Sequence, residues 1–104
     1  MKKLYNKLVR DGVPQLIVES GRECKVRTLP DNEFQEALLN KIIEEVEGFR
    51  ESQAEEELAD IYEVMETLIE FLGFERMHID YLKMKKKDSR GSFVERVFLE
   101  EVEE

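Results

Sequence analysis

The sequence predicts a mainly α fold, an antiparallel helical bundle with a small two-stranded β ribbon, completed by oligomerisation. Three observations carry this expectation. Two long stretches, residues 34–49 and 54–72, place apolar residues at helical spacing. A short polar break at residues 50–53 joins them, so the two helices must fold back on each other. Two brief runs rich in β-branched or aromatic residues, 24–29 and 92–99, lie far apart in sequence and are marginal as strands unless they pair.

Taken in order, Asp11 is the expected cap of a short first helix that runs through Pro14 and Ile17 and stops at Gly21. Residues 24–29 read as a strand that Pro30 and Asp31 end. Asn32 followed by Gln35 has the form of a capping box for a helix carrying Phe34, Leu38, Leu39, Ile42, Ile43, Val46 and Phe49. Ser52 followed by Glu55 is a second such box. It introduces Ala54, Leu58, Ile61, Tyr62, Met65, Leu68, Ile69 and Leu72, with Gly73 as the stop. A further helix is expected over 76–89, ended by Gly91. The second strand then contains Phe93, Val94, Val97, Phe98 and Leu99.

The chain has 104 residues, enough for one domain spanning 1–104. Its apolar stripes are wider than three modest helices and a ribbon can cover. A homodimer or higher homo-oligomer is therefore expected. Net charge is -9 and no long basic tract dominates, which argues against binding a nucleic acid polymer. No apolar run approaches membrane-spanning length, and the Met1-Lys2-Lys3 start leads into no signal-like segment, so no membrane partner is expected. The single cysteine, Cys24, cannot form an internal disulfide and suits a reducing, cytoplasmic setting.

Candidate chemistry lies in two acidic clusters, Glu44-Glu45-Val46-Glu47 and Glu57-Leu58-Ala59-Asp60. Each helical residue turns about 100°. On that wheel Leu38, Ile42 and Phe49 lie within roughly 60° of Glu45, which places a carboxylate inside the apolar arc, where alone it is costly. Glu44 falls at the edge of the arc and Glu47 points away. Glu57 and Asp60 are three apart and share one face. Carboxylates from two antiparallel helices then face each other and repel unless a cation lies between them. A hard divalent ion suits such oxygens. The plainer alternative is a solvated acidic face, which fits Glu47, Glu51, Glu55 and Glu56 best.

Basic residues offer a second constellation. Lys83, Lys85, Lys86, Lys87 and Arg90 crowd the end of the last helix before Gly91. They complement the helix dipole there, or they hold a phosphate, for which the planar fork of Arg90 is well shaped. Lys7 and Arg10 raise the same choice near the start. His78 has no ligand-like partner at i+4, and Cys24 has no neighbouring His or Cys.

At these residues a resemblance enters. Lys41-Ile42-Ile43-Glu44-Glu45 followed by Glu57-Leu58-Ala59-Asp60 resembles the acidic signature of the MazG-like all-α nucleoside triphosphate pyrophosphohydrolases, which include phosphoribosyl-ATP pyrophosphatase and dimeric dUTPases. Tyr5-Asn6-Lys7-Leu8-Val9-Arg10-Asp11-Gly12-Val13-Pro14 resembles the NKLVRDxIP opening of the small house-cleaning branch. Lys87-Asp88-Ser89-Arg90-Gly91-Ser92-Phe93 resembles its RGxF close. The resemblance implies cleavage between the α and β phosphates of a nucleoside triphosphate, noncanonical ones included. It also implies Mg2+, with Mn2+ as a substitute. Glu45, Glu57 and Asp60 would be ligands. Glu44 would be a ligand or would orient or deprotonate the water. Lys7, Arg10, Lys87 and Arg90 would hold the phosphate tail.

The sequence departs from the family at one place. Where a third acid usually follows the first pair, this chain has Gly48. Three readings stay open: fewer or weaker metals, a water in the gap, or lost catalysis. The last would leave a helical nucleotide-sensing or protein-interaction module.

Overall fold

Helix starts in this chain are set by backbone geometry, not by side-chain caps. The computed structural model describes residues 1–103 and contains α1 (Val13–Glu19), α2 (Asp31–Ser52), α3 (Glu55–Phe71) and α4 (Arg76–Arg90). No side chain caps any of the four N-termini. Asp11 is not the cap of α1, because Gly12 takes that place and Pro14 lies in the first turn. Asn32 lies inside α2, whose cap is Pro30 at φ -71° and ψ 164°. Proline presets the extended entry, and its carbonyl accepts the Phe34 N–H at 2.8 Å. Asp31 and Glu33 then complement the dipole in the first turn. Ser52 is the last residue of α2, and its Oγ accepts the Ala54 N–H at 3.1 Å. Chain reversal falls on Gln53, which sits left-handed at φ 56° and gives its N–H to the Phe49 carbonyl.

So tight a turn makes α2 and α3 antiparallel, as the spacing predicts. The register is visible at both ends. Phe34 meets Phe71 edge to face, with ring centroids 5.0 Å apart. Gly48 meets Glu57 at the other end. Leu38, 1% exposed, is the fully buried side chain of this hairpin. Ile42, Phe49, Ile61, Val64, Leu68 and Phe71 are half-buried around it.

The N-terminal segment lies across one side of the hairpin. Lys7 reaches Glu44 on α2 and Arg10 reaches Asp60 on α3. The other side is bare. Leu39, Ile43 and Val46 follow the buried stripe of α2 by one residue, and Leu58 and Tyr62 do the same on α3. All five are exposed, as is Met65 three residues beyond Tyr62, and Tyr62 is exposed to 75%. Because the helices run in opposite directions, a step of about 100° past the buried stripe on each reaches the same side of the pair. α4 packs against α3 alone among the helices and leaves Met77, Tyr81, Leu82 and Met84 exposed.

The ribbon expected from residues 24–29 and 92–99 is not formed: no strand is present among the described residues. Residues 93–96 instead make a turn, with Arg96 at φ 61° and its N–H on the Phe93 carbonyl. The physical reason is lack of a partner, since a lone extended segment has no ladder to close. The chain is correspondingly open. It exposes 10215 Å², against about 6,100 Å² for a closed domain of this mass. Its Cα radius of gyration is 18.3 Å, against about 13 Å. No helix among the described residues is long and apolar enough to cross a membrane.

Candidate metal centre

The hairpin register places Glu45 beside Asp60, one helical turn before Gly48 meets Glu57. Carboxylate oxygens of Glu45, Glu57 and Asp60 all lie within 4.8 Å of one another. This is the trio that the helical wheel singles out. Glu45 is only 12% exposed at its side chain, in keeping with its place in the apolar arc. Three carboxylate oxygens this close could converge on one divalent ion such as Mg2+. Three carboxylates and no softer donor match a hard cation.

Gly48 explains how Glu57 reaches in. A Cβ at position 48 would lie 3.0 Å from Glu57 Oε2 and 3.1 Å from both Cδ and Oε1. The space beside position 48 is therefore taken by the Glu57 carboxylate. A proton that Glu57 can share with the neighbouring Glu45 carboxylate, partial burial and the negative charges of Glu45 and Asp60 push the Glu57 carboxyl up from its ordinary range, while Lys41 pulls it down.

Glu44 is not part of the trio. Its Oε1 accepts from Lys7 Nζ at 3.1 Å and its Oε2 lies 2.9 Å from Lys41 Nζ. Burial works to raise its carboxyl, but the two lysines outweigh it and hold the group below the usual range. Lys41 itself, 17% exposed, also lies 3.3 Å from Glu45 Oε1. Burial works against its charge, and the two glutamates more than restore it. Arg10 Nη2 donates to Asp60 Oδ1 at 2.7 Å, and its Nη1 lies 3.8 Å from Glu63. That bond to Asp60 holds the guanidinium firmly charged.

Thus Lys7 and Arg10 are brought to the acids, whereas Lys87 and Arg90 form no ion pair among the described residues and end α4. Lys41 and Glu63 join the site although their charge alone does not single them out. The signal for Lys41 is its i,i+3 and i,i+4 spacing to Glu44 and Glu45. Beside Glu44 a shallow cleft of about 270 Å³ is lined by Asn6, Lys7, Leu8, Ala37, Asn40, Lys41 and Glu44.

An uncharacterized protein of Mycolicibacterium smegmatis is 51% identical over 43 residues, which are 41% of this chain and 44% of that protein. The chain thus spans less than half the length of this relative. No protein-family model matches the sequence, and no solved structure matches it.

Proposed function

We propose that this chain is a Mg2+-dependent nucleotide pyrophosphohydrolase of the MazG-like kind, which hydrolyses nucleoside triphosphates, noncanonical ones among them, to monophosphate and pyrophosphate. One observation carries the reading: Glu45, Glu57 and Asp60 converge from two helices, where like charges need a shared proton or a cation. These three would hold the ion. Bound there, Mg2+ would neutralise phosphate oxygens and make water at the site more acidic.

The rest of the mechanism belongs to the chain's own residues. Lys7 and Arg10, paired with Glu44 and Asp60 in the free protein, turn to the anionic phosphate tail. Once Lys7 leaves, Glu44 loses one of the two cations that keep its carboxyl acidic. It then becomes a better acceptor for the proton of the attacking water. Asn6 and Asn40 in the cleft beside it offer amide groups to the sugar or base. Lys87 and Arg90 serve the phosphate tail from a second copy, in a homo-oligomer built on the bare side of the hairpin.

The test is pyrophosphate release from a panel of triphosphates with Mg2+. Turnover on at least one is expected, and Glu45→Gln and Asp60→Asn should each abolish it while the fold survives. No turnover together with no Mg2+-dependent nucleotide binding would remove the proposal.

Gly48 favours a second reading, a nucleotide-sensing or protein-interaction module with a degraded metal site. It predicts nucleotide or partner binding without hydrolysis. Gly48→Glu separates the two. A large gain in rate marks a degraded site; no gain fits the arrangement in which Glu57 already fills that space.

A further inference from the structure

Two segments of this chain without regular secondary structure have no backbone partner among the described residues. Residues 23–29 and 97–103 neither donate nor accept a backbone–backbone hydrogen bond among the described residues. Each is seven residues long, about 23 Å when extended. Unpaired strand-like backbone of this kind is a template for another strand.

Their chemistry is complementary. The first segment carries Lys25 and Arg27 beside Val26, with Arg22 just before it and Glu23 as its one acid. The second carries Glu100, Glu101 and Glu103 and no basic residue. Its apolar residues Val97, Phe98, Leu99 and Val102 are all exposed, as is Val26 on the first. Opposite charges and apolar groups facing across two strands are the units that stabilise a ribbon.

Within one chain, among the described residues, no backbone hydrogen bond joins the two. Residues 23–29 lead directly into the start of α2, while residues 97–103 follow α4, which packs on α3 alone among the helices. The chain also exposes some 4,000 Å² more than a closed domain of its mass, more than the roughly 1,000–2,500 Å² that each partner of an obligate dimer buries.

We propose that residues 97–103 of one copy pair as a strand with residues 23–29 of a second copy, so that two chains exchange their C-terminal segments. The occupant of each unpaired segment is thus the opposite segment of an identical chain. The exchange rests on the self-association proposed above and specifies how it is locked. It also carries Arg90, seven residues before the exchanged strand, over to the other copy.

The single native cysteine lies in the receiving segment and provides the test. A size-tagged chain retaining Cys24 is co-expressed with an untagged chain carrying Cys24→Ser and one of Val97→Cys, Leu99→Cys or Val102→Cys. After mild oxidation, non-reducing electrophoresis separates tagged, mixed and untagged dimers by mass. The expected result is a mixed dimer that forms at least tenfold faster than either like dimer for one or more of the three positions. Mixed dimers no faster than like dimers at all three positions would overturn the exchange. So would an internal bond within a monomer when Cys24 and the new cysteine are placed on the same chain. Light scattering of the unmodified protein keeps the two ideas distinct. A dimer without the mixed disulfide rejects only the exchange, while a concentration-independent monomer rejects the exchange and the association together.

Discussion

Glu57 is the residue on which pH and metal meet. Its carboxyl is pushed up from an ordinary value near 4.5 by the proton it can share with Glu45, by burial and by the charges of Glu45 and Asp60. The folded state therefore holds this proton more tightly than the unfolded chain does. That contribution to stability is full below the ordinary carboxylate range and is lost as pH rises through the raised value. Glu44, held low by Lys41 and Lys7 against its burial, works the other way and favours folding above the ordinary range. Glu57→Gln should thus raise the stability of the metal-free protein at pH 7, measured by urea unfolding, and flatten its loss as pH rises above the ordinary carboxylate range. The same substitution should remove the stabilisation by Mg2+, which at a hundredfold excess over its Kd is about 2.7 kcal/mol for the unaltered chain. A Glu57→Gln protein less stable at pH 7 than the parent would contradict the crowding of carboxylates. Glu45, Glu57 and Asp60 were legible from spacing because a carboxylate in an apolar arc stands out. Glu63 was not, because its role comes from Arg10, fifty-three positions away in sequence, and such pairings leave no local pattern.

At the scale of the helix, Gly48 leaves room for the Glu57 carboxylate between α2 and α3. A glycine in a helix interior costs about 1 kcal/mol relative to alanine. The added Cβ would press on the end of the flexible Glu57 side chain, which gives way at little cost. Gly48→Ala is accordingly expected to stabilise the metal-free protein by up to about 1 kcal/mol while weakening Mg2+ binding, because Glu57 is turned out of the trio. Titration calorimetry reads the second effect, and an unchanged affinity would mean that Glu57 does not need this gap. The helices themselves were legible in the stripes through Leu38 and Leu68. Their starts were not. Asn32 and Ser52 carry the right side chains for capping, but Pro30 and Ala54, each two residues away, take the cap positions with extended backbone. The ribbon expected from residues 24–29 and 92–99 is not formed, since alternation alone does not supply a partner strand.

For the whole molecule, openness is the dominant fact. One fully buried leucine is too small a core for a chain of 104 residues. Two hairpins stacked through Leu39, Ile43, Val46, Leu58, Tyr62 and Met65 would make a four-helix bundle. Tyr62→Glu combined with Ile43→Glu should therefore shift the protein from dimer to monomer in sedimentation at micromolar concentration and lower its stability. A dimer unaffected by both charges would place the contact elsewhere. The N-terminal segment with Lys7 and Arg10 covers the opposite side of the same hairpin. A two-fold axis through the bare side would put the two N-terminal segments, with the acids they pair with, on opposite outer faces of the proposed dimer. Divalent ions would load such a particle as one class of equivalent, independent positions, with a Hill coefficient of one.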